Sequence, residues 1–360
     1  MPELCSLRVG EAGESVEIID QTLLPHQLKW LALDSLESFS HAISHMQVRG
    51  APLIGITAAF GLAAALKHDP STDNLRSSME TLLATRPTAV NLGWALQKIE
   101  ACVLPLAESQ RAQAAFNCAR VLRAQDIQHC STIGNFGHEL LQSLFDQSAG
   151  KSLNVMTHCN AGWLATIEWG TALAPVYKAH EAGVPLHVWV SETRPRNQGA
   201  FLTAWELQRA GVPCTIVADN SCGHLMQTGE VDCVIVGSDR TAANGDVCNK
   251  IGTYLKALAA QANAVPFYAA VPESTIDWSC QSGADIPIEF RDSEELLSIS
   301  GMDTQGELKR VRLAAVESRG SNPAFDITPS ALVSGLITEH GVIEASSAGL
   351  AGLRSILGHS

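Results

Sequence analysis

The chain has 360 residues, 46% of them hydrophobic, enough apolar material for the cores of two domains. Its formal net charge of −13 argues against nucleic acid or an anionic membrane as the main partner, because gripping a phosphate backbone needs an excess of Lys and Arg. A small anionic substrate is still compatible, since two or three local cations suffice to hold it.

The first residues, Met1-Pro2-Glu3-Leu4-Cys5, have neither the basic nor the apolar region of an export signal. The 10 cysteines are therefore expected to stay reduced in the cytoplasm. None forms a C-x-x-C pair, which removes the zinc-ribbon and thioredoxin-like readings. Residues 16–33 alternate irregularly between apolar and polar around Pro25-His26 and predict a β-ribbon. From residue 36 the period turns helical. Helices are expected over 36–45, 52–67, 74–84, 91–107 and 112–145, the last in more than one piece, with Pro87 and Pro105 as punctuation. Residues 50–66 carry no charge, but the stretch is Ala- and Gly-rich and has no sister segment, so it reads as a buried helix rather than a membrane span.

At Leu153 the pattern changes. Strands are expected over 153–157, 186–190, 214–217, 231–236 and 266–271, alternating with helices over 167–182, 200–210, 224–228 and 250–261. Such alternation with short links implies a parallel sheet covered on both faces. The chain thus reads as α/β: a mainly helical N-terminal domain with a small β-ribbon over 1–147, then a Rossmann-like parallel-sheet domain over 148–360. It lacks G-x-G-x-x-G and the P-loop signature, so no dinucleotide or nucleoside triphosphate site is evident.

Ligands of an open parallel sheet bind beyond the carboxyl ends of its strands. At those positions stand His158-Cys159-Asn160, Glu192-Thr193-Arg194 through Gln198, Asp219-Asn220, and Gly237-Ser238-Asp239-Arg240. By position alone Cys159 reads equally as a core thiol or a reactive one. Asp239 reads either as a turn cap paired with Arg240 or as an acid. Desolvation after Val234-Ile235-Val236 raises a carboxyl pKa, as a general acid requires, and Arg240 would oppose it. With no second histidine at helical ligand spacing, a metal is not expected. For a phosphate, Arg49-Gly50-Ala51-Pro52, Arg86-Pro87-Thr88 and Asn249-Lys250 supply cations at predicted helix starts. Each taken singly reads as well as an ordinary cap with a solvated charge.

At these residues the sequence resembles a known family. The stretches Val48-Arg49-Gly50-Ala51-Pro52, Thr85-Arg86-Pro87-Thr88, Thr157-His158-Cys159-Asn160-Ala161-Gly162, Glu192-Thr193-Arg194-Pro195, Gly237-Ser238-Asp239-Arg240, Asn249-Lys250-Ile251-Gly252 and Asn322-Pro323-Ala324-Phe325 carry the resemblance. They are similar to the methylthioribose-1-phosphate isomerases over about residues 20–345. That superfamily also holds ribose-1,5-bisphosphate isomerase and the α, β and δ regulatory subunits of the translation-initiation exchange factor. The resemblance implies an aldose–ketose isomerase that converts 5-methylthioribose 1-phosphate to 5-methylthioribulose 1-phosphate in methionine salvage. It implies a homodimer formed through the Rossmann-like domain and no cofactor. Asp239 is implied as the proton donor and Cys159 as the group assisting the transition state. Arg49, Gly50, Ala51, Arg86, Gln198, Asn249 and Lys250 are implied to bind substrate. Ser238 stands where the family often has alanine, and Phe290 where a second acidic residue often follows Glu289. The alternatives are an isomerase of ribose 1,5-bisphosphate or 5-deoxyribose 1-phosphate, and a non-catalytic regulatory scaffold, which is expected to lose Cys159 or Asp239.

Overall fold

The computed structural model describes residues 5–10, 15–86, 89–148 and 151–358. The ribbon has three antiparallel strands, β1 (Leu7–Val9), β2 (Val16–Ile19) and β3 (Trp30–Leu33). The sequence showed only the last two, because three residues are too few to display an alternation. The helices follow as α1 (Leu36–Ser44), α2 (Ala51–His68), α3 (Thr72–Thr85) and α4 (Val90–Val103). Ser35 starts α1 with a capping box, its Oγ accepting the N–H of Ser38. α2 is apolar all round and 83% of it is buried, so it is the core about which the other helices pack, as expected.

α5 (Glu108–Gln147) is one unbroken helix of 40 residues, where the sequence suggested several pieces. Gly134 and Gly137 imitate breaks. A Cβ on Gly137 would lie 2.2 Å from Pro175 Cγ, and one on Gly134 2.8 Å from Lys178 Cε. These glycines are points of close packing, not helix ends. The first half of α5 sends Ala115, Phe116, Ala119 and Leu122 into the helical core. The second half sends Ile133 and Leu141 into the core beneath the sheet.

The second half of the chain runs β4 (Leu153–His158), α6 (Ala174–Glu181), β5 (Leu186–Ser191), α7 (Ala204–Arg209), β6 (Cys214–Val217), α8 (Cys222–Gln227) and β7 (Cys233–Val236). β8 (Arg240–Ala242) and β9 (Val247–Lys250) then leave the main sheet before α9 (Thr253–Ala262) and β10 (Phe267–Ala270) rejoin it. After β11 (Ile276–Asp277) come α10 (Glu294–Leu297) and the hairpin β12 (Ser298–Met302) and β13 (Leu308–Arg312). β14 (Phe325–Thr328), β15 (Gly335–Thr338), β16 (Gly341–Ile343) and α11 (Ser347–Ile356) follow. The main sheet has the order β16-β15-β10-β7-β4-β5-β6, parallel except at β16. A smaller sheet, β11-β8-β9-β14, stands beside it.

All five expected strands are present. Two expected helices are shorter than read. The helix over 167–182 begins only at Ala174, because Trp169 and Gly170 adopt positive φ and bend the chain. The helix over 250–261 begins at Thr253, because Val247–Lys250 pairs with β14 as a strand. The reading over 200–210 holds with one refinement: Gly199–Thr203 is a π-helical turn leading into α7.

Candidate active site

Strand order in the main sheet reverses between β4 and β7. From β4 the chain proceeds to β5 and β6 on one side, and from β7 to β10 on the other. Such a switch point leaves a crevice at the strand ends. Cys159 follows β4 and Asp239 follows β7, so the topology alone brings the thiol and the carboxyl to one crevice. The crevice holds ≈ 980 Å³ of space free of atoms, its solvent mouth included. All nine residues implied by the resemblance line it: Arg49, Gly50, Ala51, Arg86, Cys159, Gln198, Asp239, Asn249 and Lys250.

Cys159 has φ +63°, an uncommon conformation for a residue with a side chain. Hydrogen bonds on both sides hold it. Its N–H donates to Thr193 Oγ1 at 2.8 Å, and its carbonyl accepts from Thr203 Oγ1 at 2.7 Å. The thiol lies 3.0 Å from Gln198 Oε1, to which it donates. Burial pushes the thiol pKa up, and the charges of Lys250 and Arg49 reduce the rise without cancelling it. Cys159 is therefore a neutral thiol near neutral pH, unlike the depressed thiols that act as nucleophiles.

Asp239 is held by its own N–H, which donates to the Cys248 carbonyl at 3.0 Å. Burial raises its carboxyl pKa. Lys250, Arg86 and Arg49 oppose the rise, and Glu289 adds to it. The expected opposition from Arg240 does not arise, because Arg240 turns away and bonds Asp277 through Nε and Nη2. A carboxyl whose proton burial helps to retain, at the mouth of β7, is suited to donate it.

The cations reach the cavity by different routes. Arg49 and Gly50 lead into α2. Gly50 has φ +96°, and a Cβ there would lie 2.4 Å from the Ala165 carbonyl oxygen, so only glycine fits. No side chain caps α2, whose first residues, Ala51 and Pro52, line the cavity. Arg86 terminates α3 and pairs with Glu289 at 3.2 Å. Pro87 and Thr88 lie outside the described residues. Lys250 is not at a helix start, as the sequence suggested, but is the last residue of β9. Its ammonium sits 4.3 Å from the Phe325 ring centre. Burial lowers its pKa, against the pull of Cys159 and Asp239. Asn249 Nδ2 donates to Thr253 Oγ1 at 3.1 Å.

Beneath these residues lies a polar layer. His158 donates from Nε2 to the Ile251 carbonyl at 2.8 Å, and burial and Lys256 push its pKa down to about 3. It is a neutral packing imidazole. Asp219 accepts from Ser191 Oγ and from the N–H groups of Thr193 at 2.8 Å and Arg194 at 2.7 Å. It orients the Thr193 loop rather than reacting. Glu192 does not line the cavity. Sequence reading missed Glu206. It is fully buried and accepts hydrogen bonds from Asn160 Nδ2, the Trp163 and Leu164 N–H groups and Tyr177 Oη. Its signal was faint: one acid between Trp205 and Leu207 in an apolar helix. Among the described residues, the groups close enough to share a cation, Glu273, Glu339 and His340, lie outside this cavity.

The model of the Initiation factor 2 subunit family matches residues 47–345. A methylthioribose-1-phosphate isomerase of Methylocella silvestris is 55% identical over 344 residues, which cover 95% of this chain and 94% of that protein. One of Dechloromonas aromatica is 54% identical, covering 97% of this chain and 96% of that protein. Among solved structures, the 5-methylthioribose 1-phosphate isomerase of Pyrococcus horikoshii superposes with a TM-score of 0.84 at 37% identity, covering 98% of this chain and 96% of that one. The delta subunit of translation initiation factor eIF-2B from A. fulgidus superposes with 0.77 at 36% identity, covering 95% and 96%. With matches of this extent from end to end, the chain belongs to the initiation factor 2 subunit family and, within it, to the methylthioribose-1-phosphate isomerases.

Proposed function

We propose that this protein is an aldose–ketose isomerase that converts 5-methylthioribose 1-phosphate to 5-methylthioribulose 1-phosphate in methionine salvage. One observation carries the chemistry: a carboxyl with a raised pKa and a neutral thiol share a crevice ringed by Arg49, Arg86 and Lys250. A sugar whose anomeric oxygen bears phosphate cannot open spontaneously to an aldehyde, so the enzyme must break the ring. Arg49, Arg86, Lys250 and the free N–H groups at the start of α2 hold the phosphate. Asp239 gives its proton to the ring oxygen as that oxygen leaves C1. Hydrogen then moves from C2 to C1, and the C2 hydroxyl loses its proton as it becomes the ketone. Cys159 assists at C2, Gln198 orients the thiol, and the released proton restores Asp239. Where bound substrate excludes water from the crevice, hydride transfer is favoured over a charged enolate. The apolar Met46, Ile54 and Ile286 in the lining suit a methylthio tail better than a second phosphate.

Three further readings accompany this one. The chain divides after Gln147 into the helical and Rossmann-like domains, with α5 shared between their cores. The enzyme works in the cytoplasm. It works as a homodimer, for which the support is Tyr254, Leu255 and Leu258, left exposed by α9 on the sheet-bearing half.

Turnover followed by NMR tests the assignment, with 5-methylthioribose 1-phosphate, ribose 1,5-bisphosphate and 5-deoxyribose 1-phosphate compared. The methylthio substrate should give ketose with the highest kcat/KM. Absence of turnover with all three would leave the regulatory-scaffold reading. In D2O, hydride transfer leaves C1 of the ketose free of deuterium, whereas an enolate route introduces it.

A further inference from the structure

Arg49 is 4% exposed, and its guanidinium is held by amides rather than by a directly bonded acid. Nε donates to Gln21 Oε1 at 2.9 Å, Nη1 to the Asn160 carbonyl at 2.8 Å, and Nη2 to Asn160 Oδ1. A guanidinium has five N–H donors in a planar fork. Three are used, so two remain, one on each terminal nitrogen, on a residue that lines the cavity. Both amides that grip Arg49 lead to Glu206. Asn160 Nδ2 donates to Glu206 Oε1 at 2.9 Å. Gln21 Nε2 donates to the Leu164 carbonyl at 2.7 Å, and the Leu164 N–H donates to the same Glu206 oxygen at 3.0 Å. The bonds close a ring: Glu206, Asn160, Arg49, Gln21, Leu164 and back to Glu206. It ties the segment after β2, the lead into α2, the loop after β4 and α7 together. Gly162 makes room for it, since a Cβ there would lie 1.8 Å from Glu206 Oε2.

We propose that Glu206 is a positioning residue for phosphate binding. Through Asn160 and Gln21 it holds Arg49 as a rigid fork with its two free N–H groups presented to the substrate phosphate. Glu206 never touches substrate. It fixes the amides with their oxygens toward Arg49, because its two oxygens accept from the Trp163 and Leu164 N–H groups and Tyr177 Oη as well as from Asn160, whose NH2 is thereby turned inward. The proposal rests on reading Arg49 as a phosphate-binding residue.

The test compares wild type, Glu206→Gln, Arg49→Lys and the double variant. It records the dissociation constant of inorganic phosphate by calorimetry, KM for 5-methylthioribose 1-phosphate, and thermal midpoint. Glu206→Gln should weaken phosphate and raise KM about tenfold, with a smaller effect on kcat. In the Arg49→Lys background the same change should add less than about twofold, because the fork it served is gone. Equal losses in both backgrounds, or unchanged phosphate affinity in folded Glu206→Gln, overturn the proposal. Tyr177→Phe removes another bond to Glu206 without touching the ring; it should lower the midpoint and leave phosphate affinity unchanged, and a matching loss of affinity reduces Glu206 to a folding role. Should Glu206→Gln not fold, Gln21→Ala opens the ring from the other side and must show the same dependence on Arg49. Phosphate binding is read without turnover, so failure of the isomerase assignment leaves this result interpretable.

Discussion

At the scale of single residues, the site depends on two groups, Asp239 and Cys159, whose protonated forms burial favours. Burial raises Asp239 against three cations, which favours the acid form that proton donation needs. Asp239→Asn keeps the shape and removes the proton; kcat should fall by about 10²–10⁴-fold while calorimetry still detects substrate binding. Because the acid must be protonated, wild-type activity should also fall as pH rises through the raised pKa of Asp239. Substantial residual turnover in the variant removes Asp239 from the acid role. Cys159 is neutral for the same reason, and this separates it from a nucleophile. Iodoacetamide at neutral pH should label the exposed Cys102 well before Cys159, as read by peptide mass spectrometry. Cys159→Ser should lower the rate by about 10²-fold with an unchanged circular dichroism spectrum. A near-normal rate returns Cys159 to packing.

At the scale of elements, α5 and β9 show how local pattern and tertiary pairing divide the work. The period of α5 was legible, but its continuity was not, because Gly134 and Gly137 break helices unless a neighbouring element packs against them. α5 also carries Asp126, whose pKa burial lifts to about 7, with Glu339 and Glu168 adding and the Ile167 N–H and Arg123 opposing. A carboxyl raised in the folded state is stabilising while protonated and loses that contribution as pH rises through the folded value. Asp126→Asn should therefore match wild type near pH 4 and gain on it up to about pH 7. The difference, on the order of 4 kcal/mol by denaturant unfolding, should stay level above that pH. A gap that shrinks with rising pH contradicts the assignment. In β9 the sequence Asn249-Lys250 looked like the start of a helix. Pairing with β14, some 75 residues on, makes it a strand whose end delivers Lys250 to the cavity.

At the scale of the whole molecule, the segment between β11 and β14 lends Ile286 and Pro287 to the crevice wall and is fastened to both halves. Arg86 reaches it from α3 through Glu289, and Arg196 pairs with Glu295 at 2.7 Å. Arg291 bridges Glu289 and Glu295 within the segment. Helical and sheet-bearing parts are thus joined at the crevice, which the pairs distant in sequence, Arg86–Glu289 and Arg196–Glu295, do not announce. The opposite question is what lies outside. α9 buries Thr253, Lys256, Ala257 and Ala260 and leaves Leu255 69% exposed. If a second copy covers this face, Leu255→Asp should convert the dimer to a monomer in light scattering, with the fold retained. An unchanged dimer places the interface elsewhere.

The sequence by itself determined which residues meet at the rim: apolar runs with their punctuation mark the strands, and the residues just past them, Cys159 and Asp239 among them, stand at the carboxyl ends. Short motifs did the same for Arg49, Arg86 and Lys250. Those are local properties, set by alternation over a few residues and by backbone preference. Only the tertiary structure decided what state these groups are in. Arg240 leaves Asp239 for Asp277, Glu206 organises Arg49 from 157 positions away, and burial rather than any neighbour in the chain is the largest influence on the pKa of Cys159 and of Asp239. Charge state and hydrogen-bond orientation depend on which distant segments exclude water from a point, and that is fixed by packing.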